Sequence, residues 1–181
     1  ALEDLNHAIA VDPKNWLAFY NRGYANQYLQ KYSLAFSDFN RAIQLNPKHA
    51  PSYDNRAQIF MRRKEWRKAI NDYTKALALD KENDIARINR GWSNFRLEDA
   101  ISAERDYSFL IQRKKYLASA YAFRGLARLL QFRDAEAQKD FAMSRRLNET
   151  KVAKNADAEW KTLQGYIATV KTRRKKHKVK P

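Results

Sequence analysis

Small and aromatic side chains recur along this chain at a fixed interval of 34 residues. One set comprises Ala1, Ala35, Ala69, Ala103 and Ala137, and four positions after each stands a leucine or an aromatic residue. A second set comprises Gly23, Ala57, Gly91 and Gly125. Because residues four apart share one face of an α-helix, these positions predict helices whose small residues permit close packing against a neighbouring helix.

Each interval holds enough residues for two antiparallel helices, predicted at 15–29 and 32–45 in the first complete copy. One such pair cannot bury its apolar faces alone, so successive pairs have to stack into an all-α solenoid. The predicted copies span 16–49, 50–83, 84–117 and 118–151, after the second helix of an incomplete copy at 1–15 and before a C-terminal capping helix at 152–171 and a basic, disordered tail at 172–181.

Composition agrees with a folded helical chain. Its 181 residues are 44% hydrophobic, and four glycines and four prolines are too few for the turns of an all-β protein. The absence of cysteine excludes disulfides, thiolate metal sites and cysteine nucleophiles. No apolar run is long enough to predict a membrane span. The first residues lack an initiator methionine and a signal pattern, so we predict a piece of a longer protein and assign no compartment.

The repeated segments resemble a known family. They are Asn21-Arg22-Gly23, Asn55-Arg56-Ala57, Asn89-Arg90-Gly91 and Phe123-Arg124-Gly125, with a second-helix pattern of Ala35, Asp38, Phe39, Ala42 and Pro47. This spacing is similar to that of the tetratricopeptide repeat, and the Asn-Arg-Gly form resembles the type abundant in bacterial members. The resemblance implies a right-handed superhelix whose first helices line a concave groove, acting as a non-catalytic scaffold that binds a peptide segment of another protein.

The groove implied by this resemblance would be aromatic and rich in amides. Asparagine side chains can pair with the backbone of an extended peptide, and tyrosine and tryptophan are common anchors. Equally, these amides could bond neighbouring helices and the rings could pack between repeats, and both interpretations stay open. The candidate groove residues are Tyr20, Asn21, Tyr24, Tyr28, Asn55, Gln58, Arg62, Asn89, Trp92, Phe95, Arg96 and Phe123.

The net charge of +16 adds a second candidate surface. Basic clusters at predicted helix ends would form a rim that attracts an acidic protein partner. The alternative is a nucleic-acid-binding helical repeat that acts through the rim and the tail, although its groove should be lined by lysine and arginine. The candidate rim residues are Arg63, Lys64, Arg67, Arg113, Lys114 and Lys115.

Two further charged columns are predicted to be structural. Arg22, Arg56, Arg90 and Arg124 each precede by sixteen residues one of Asp38, Asp72, Asp106 and Asp140. Buried charges require partners, so we predict arginine–aspartate pairs across each helix pair. The three histidines are scattered and no nucleophile or phosphate-loop motif occurs, so we predict no enzyme, no metal and no cofactor. Self-association through the N-terminal end remains an alternative.

Overall fold

The computed structural model describes residues 2–149 and 156–178, and within these ranges every regular element is helical. The helices are α1 Leu2–Val11, α2 Trp16–Tyr28, α3 Tyr32–Leu45, α4 Ala50–Arg62, α5 Trp66–Leu79, α6 Asp84–Arg96, α7 Ala100–Gln112, α8 Leu117–Leu130, α9 Asp134–Glu149 and α10 Ala156–Lys178. The predicted all-α helical-repeat class is confirmed. No described helix has the length and apolar character needed to cross a membrane.

The chain divides into two compact units, Ala1–Ser93 and Asn94–Pro181, called here the first and the second unit. In the first unit each helix from α1 to α4 packs against the next one along the chain, so that α4 contacts α5. In the second unit α8 packs against both α7 and α9, and α10 packs against α8 and α9. Contact between sequential neighbours is the pattern of stacked helical repeats.

The small residues of the repeat mark close helix approach. A Cβ atom added to Gly23 would lie 2.8 Å from the ring of Phe39, and one added to Gly125 would lie 2.5 Å from the ring of Phe141. Ala35 and Phe39 are themselves fully buried. The spacing of small and aromatic residues therefore encodes contacts between the two helices of a pair.

Arginine–aspartate pairs connect the helices as predicted in three copies. Arg22–Asp38, Arg56–Asp72 and Arg124–Asp140 lie at 2.6, 2.7 and 2.7 Å. The same guanidinium also donates to a polar side chain sixteen residues earlier, as Arg56 Nη1 does to Asn40 Oδ1 at 2.7 Å. One arginine thus links the two helices of its own copy to the second helix of the preceding copy.

Arg87 occupies a position that is aromatic in the other copies, as at Tyr53. The Tyr53 hydroxyl donates to the carbonyl oxygen of Pro47 at 3.2 Å. Arg87 Nη2 donates at 3.1 Å to the carbonyl oxygen of Lys81, which likewise lies six residues earlier. The arginine therefore supplies the same hydrogen bond to the preceding turn as the tyrosine.

The C-terminal end differs from the prediction. The sequence predicts a disordered tail from Thr172, whereas α10 continues to Lys178 in the structure. Arg174 lies 4.2 Å above the ring of Phe132 and pairs with Asp134 at 2.5 Å, which holds the last turns of the helix. Residues 152–155 of the predicted capping helix, and the side chains of Ala156 and Trp160 on its apolar face, lie outside the described residues.

Candidate functional site

Helix α2 presents an exposed aromatic face in the first unit. Leu17, Tyr24 and Tyr28 are 46, 57 and 84% exposed, and Asn21 is exposed between them. Their spacing of four, three and four residues places them along one side of the helix. Tyr20 is half-buried beside this face, with its ring centroid 6.4 Å from that of Tyr24. Four of the candidate groove residues are therefore brought together on α2.

Helix α4 carries three candidates with different exposure. Asn55 is buried and its Nδ2 donates weakly to the Tyr20 hydroxyl at 3.4 Å, and its part in binding stays a prediction. Gln58 is half-buried. Arg62 is exposed, and its guanidinium lies 4.4 Å above the ring of Tyr32. The burial of Asn55 follows from its position between α2 and α4, where an amide can bond a neighbouring helix.

The later first helices carry the remaining candidates. Phe95 is 4% exposed and belongs to the core, and its part in binding stays a prediction. Phe123 stacks on the ring of Tyr107 with the centroids 5.5 Å apart. The half-buried candidates are Asn89, Trp92, Arg96 and Phe123, whose part in binding stays a prediction.

The candidate rim contains two kinds of basic residue. The guanidinium of Arg63 lies 4.6 Å above the ring of Phe36, and that of Arg113 lies 5.7 Å from the ring of Phe109. These arginines pack on aromatic rings, which limits the contact they can offer to a partner. The side chains that extend into solvent are Lys64, Arg67, Lys114 and Lys115.

A polar cluster between α2 and α4 joins the candidate Gln58 to two residues outside the candidate list, Gln27 and Asp54. Asp54 is half-buried, and its Oδ2 accepts from Gln58 Nε2 at 3.4 Å. The other carboxylate oxygen, Oδ1, is buried and receives no hydrogen bond from the described residues. Gln27 Nε2 donates to Gln58 Oε1 at 3.1 Å, while Gln27 Oε1 is also buried with no donor in the described part of the chain. Two acceptor atoms on residues that contact Gln58 therefore lack donors among the described residues.

Burial and hydrogen bonds from neutral amides determine the pKa of Asp54 in this cluster. Burial raises the pKa of Asp54 above its ordinary value of 3.8, and hydrogen bonds from Asn83 and Gln58 only partly oppose the shift. Burial also raises the pKa of Tyr20 and of Tyr73, and the Asp54 charge adds to both shifts. The Asp54 carboxylate therefore lies near two phenol groups and several amides.

The sequence holds a signal for Asp54. Tyr20, Ile88 and Ala122 occupy the corresponding positions of the other copies, and none of them carries a charge at neutral pH. When one copy of a repeat carries a charge at a position that is uncharged in the other copies, the fold itself does not require that charge. The predicted groove face includes this position, but only its side-chain contacts distinguish it from an exposed aspartate.

His49 contacts residues of both α2 and α4. Its ring lies between those of Trp16 and Tyr20, with centroids 4.6 Å from each, and its Nδ1 is 2.8 Å from Ser52 Oγ. Burial lowers the pKa of His49 below its ordinary value of 6.5, which favours the neutral ring. In the described ranges, no group of three or more histidine and carboxylate side chains is placed to hold a metal ion.

The comparisons with known proteins agree with the repeat architecture. Models of the tetratricopeptide repeat match residues 16–49 and 50–83. No curated protein sequence matches the chain significantly.

Solved structures of tetratricopeptide-repeat (TPR) proteins share the fold. The crystal structure of MamA is 21% identical with a TM-score of 0.77, covering 83% of this chain and 88% of its own. YrrB, described as a TPR protein with an unusual peptide-binding site, is 17% identical with a TM-score of 0.74, covering 94% and 90%. The first TPR domain of Spaghetti (RPAP3), bound to an HSP90 peptide, is 21% identical with a TM-score of 0.51, covering 75% and 94%.

Proposed function

We propose that this chain, which is a tetratricopeptide-repeat protein, binds an extended segment of a partner protein on the face formed by α2 and α4. The repeats make the chain a protein-interaction module, and the proposal assigns the surface and the kind of ligand. The observation that carries it is the exposed stripe of Leu17, Tyr24 and Tyr28 on α2. A contiguous aromatic patch at the surface is typical of a binding site.

The chemistry of this stripe suits an extended peptide. Tyrosine offers a large apolar ring and a hydroxyl while losing little conformational entropy on binding. The exposed amide of Asn21, between Leu17 and Tyr24, can donate to and accept from a peptide backbone. Two of the similar structures, YrrB and the RPAP3 domain, are described as binding peptides, which supports this class of ligand.

The same proposal includes a preference for a partner with acidic residues outside the groove. Lys64 and Arg67 extend into solvent next to the end of α4, and the whole chain carries a net charge of +16. Such a surface accelerates association with an acidic segment and makes binding depend on salt. The role is non-catalytic, as it generally is for interaction modules of this family.

An affinity capture with matched variants tests the proposal. The experiment compares the wild-type chain with the double variant Tyr24→Ala/Tyr28→Ala and with a control, Leu34→Ala. The control removes an exposed apolar side chain from α3. Each chain is tested at low and high salt, with and without nuclease. We expect one discrete protein to be retained at high salt by the wild type and the control, and its affinity to fall at least about tenfold in the tyrosine variant.

The opposite pattern would replace the proposal. If only nuclease-sensitive, salt-labile material is captured and the tyrosine variant captures it equally well, the nucleic-acid interpretation through the basic rim takes its place. A partner that is bound equally by all three chains would contradict the α2 face as the binding surface.

A further inference from the structure

The carboxylates inside the first unit are not all partnered in the same way. Asp38 and Asp72 are buried, and each accepts two or more hydrogen bonds from an arginine. Asp54 differs, because its contacts are neutral amides and one of its oxygens has no donor among the described residues. An inner carboxylate without a cation costs free energy of folding, so its presence calls for an explanation.

The hydrogen bond that Asp54 receives from Gln58 is long. Gln58 Nε2 is shared between Asp54 Oδ2 and Asn55 Oδ1, at 3.4 Å from each, close to the outer limit for a hydrogen bond. Among the described residues, the amide nitrogen of Gln58 makes only these two long contacts, so a better donor can replace it at Asp54. Gln58 is only half-buried, and we expect its side chain to move aside when a better donor approaches Asp54 from solvent.

A second unsatisfied acceptor belongs to the other residue that contacts Gln58. Gln27 Oε1 is buried without a donor, and the Nε2 of the same amide reaches Gln58 at 3.1 Å. Gln58 therefore contacts both residues whose oxygens lack donors. A single group with several N–H bonds could satisfy Asp54 and Gln27 together, which a single backbone N–H cannot do.

Aromatic rings complete the surroundings. Tyr20 and Tyr24 lie along α2 with ring centroids 6.4 Å apart, and the charge of Asp54 acts on the Tyr20 hydroxyl. Tyr24 is more than half exposed at the same face. Aromatic faces next to a carboxylate form a favourable site for an ammonium or guanidinium group, since both the ring quadrupole and the negative charge attract it.

We propose that the α2–α4 face takes a lysine or arginine side chain of the bound segment, whose N–H groups donate to Asp54 Oδ1 and Gln27 Oε1 beside the ring of Tyr24. The inference rests on the proposed function and specifies the chemistry of its ligand. A cation replaces the weak contacts of Gln58 with shorter, charge-assisted bonds and neutralises Asp54, which a neutral donor leaves charged.

This site is compatible with an otherwise acidic segment. The net charge of +16 repels a uniformly basic peptide, so the general field of the chain disfavours such ligands. Selection for a basic side chain would therefore have to come from a local contact. The expected ligand is an extended segment with one basic residue that enters between α2 and α4 and acidic residues that face Lys64 and Arg67.

Degenerate peptide pools with one fixed central residue test the proposal on the full chain. The fixed residue is lysine, arginine, acetyl-lysine or glutamate, and retention is measured for the wild type, Asp54→Asn and Glu3→Gln. Glu3 is exposed on α1, so Glu3→Gln changes the net charge by the same amount as Asp54→Asn without touching the cluster.

We expect the lysine and arginine pools to be retained about tenfold better than the acetyl-lysine pool by the wild type and by Glu3→Gln. In Asp54→Asn the lysine and acetyl-lysine pools should be retained equally, while circular dichroism shows the same helix content. Equal retention of both pools by the wild type, or unchanged discrimination in Asp54→Asn, overturns the inference but leaves peptide binding standing. Retention of none of the pools overturns both the inference and the peptide-binding proposal.

Discussion

In the second unit, carboxylates between helices are paired with arginine. Glu104 on α7 accepts from Arg128 at 2.8 Å and from Arg133 at 2.6 Å, and Asp140 on α9 also accepts from Arg128, at 3.0 Å. In the first unit, Asp54 on α4 has only neutral hydrogen-bond donors and one oxygen without any described donor. Both regions belong to the same repeat architecture, so the difference lies in particular side chains.

One pair of equivalent positions shows how the difference arises. Asn26 Nδ2 donates to Asp38 at 3.2 Å, and Arg128 Nη1 donates to Asp140 at 3.0 Å, each from twelve residues before the aspartate. The amide reaches only its aspartate, whereas the longer guanidinium also reaches Glu104 on α7. Arginine at this position therefore extends a paired contact into a network across three helices.

The comparison separates charges that hold the fold from a charge that is available to a ligand. A carboxylate that an arginine already neutralises gains little from a further cation, and removing its partner exposes an uncompensated charge. A half-buried carboxylate with neutral neighbours destabilises the free protein and gains most from a cation that binds it. The two kinds of carboxylate should therefore differ in how their substitution changes the free energy of unfolding.

The largest effect is expected where a buried aspartate has one arginine. Arg56→Met leaves Asp72 without a cation and should lower the free energy of unfolding by about 3 kcal/mol. Arg124→Met should cost about half as much, because Arg128 still donates to Asp140. Urea denaturation of both variants measures the difference. Equal losses would show that the second arginine contributes nothing to pairing.

A smaller effect of opposite sign is expected at Asp54. Asp54→Asn removes a charge with neutral neighbours and should raise the free energy of unfolding by about 1 kcal/mol. Its matched control, Asp72→Asn, should lower stability because it leaves Arg56 without a carboxylate. Thermal denaturation of the two variants side by side checks both signs. A loss of stability in Asp54→Asn would place Asp54 among the structural charges.

The smallest effect is a pH dependence of opposite sign in the two regions. For Glu104, burial opposes ionisation, but hydrogen bonds from Arg128 and Gln131 outweigh it and lower the pKa below 4.5. Its contribution to stability is therefore present above pH 4.5 and is lost as pH falls through the lowered pKa. Asp54, whose pKa is raised above 3.8, loses stability as pH rises through the raised value.

Urea denaturation of Glu104→Gln and Asp54→Asn measures how the free energy of unfolding changes with pH. The range of roughly pH 3 to 7 covers the ordinary carboxyl pKa values. Relative to the wild type, Glu104→Gln should lose an increasing amount of stability as pH rises, and Asp54→Asn should gain an increasing amount. Parallel profiles for the wild type and Glu104→Gln would mean that the arginines do not stabilise ionised Glu104.

Much of the fold follows from periodicity. Gly23 and Phe39 could be paired from their places in the repeat, and so could Arg22 and Asp38, because stacked copies have to make the same contacts. Residues that depart from the repeat were harder to place. Helix α10 extends beyond its predicted end, and there Arg174 contacts Phe132 and Asp134, which are far from it in sequence.

The candidate site was predicted only in part. The spacing of Tyr24 and Tyr28 placed both on one face of α2, which the structure shows to be exposed. The same reasoning included Asn55 and Phe95, which are buried, because the face of a helix does not reveal how closely the neighbouring helix covers it. Asp54 lies on the predicted groove face but not in the candidate list, because residue type and position do not show whether a carboxylate oxygen lacks a donor.

The sequence by itself determined the all-α repeat class, the positions of close helix contact and the arginine–aspartate pairs, because a repeat obliges equivalent residues to meet equivalent neighbours. Tertiary structure alone decided which polar atoms find a partner. Whether Asp54 Oδ1 and Gln27 Oε1 receive a donor depends on the exact positions of the side chains on α2 and α4. Hydrogen bonds are short-ranged and directional, so no linear pattern of residue types can specify them.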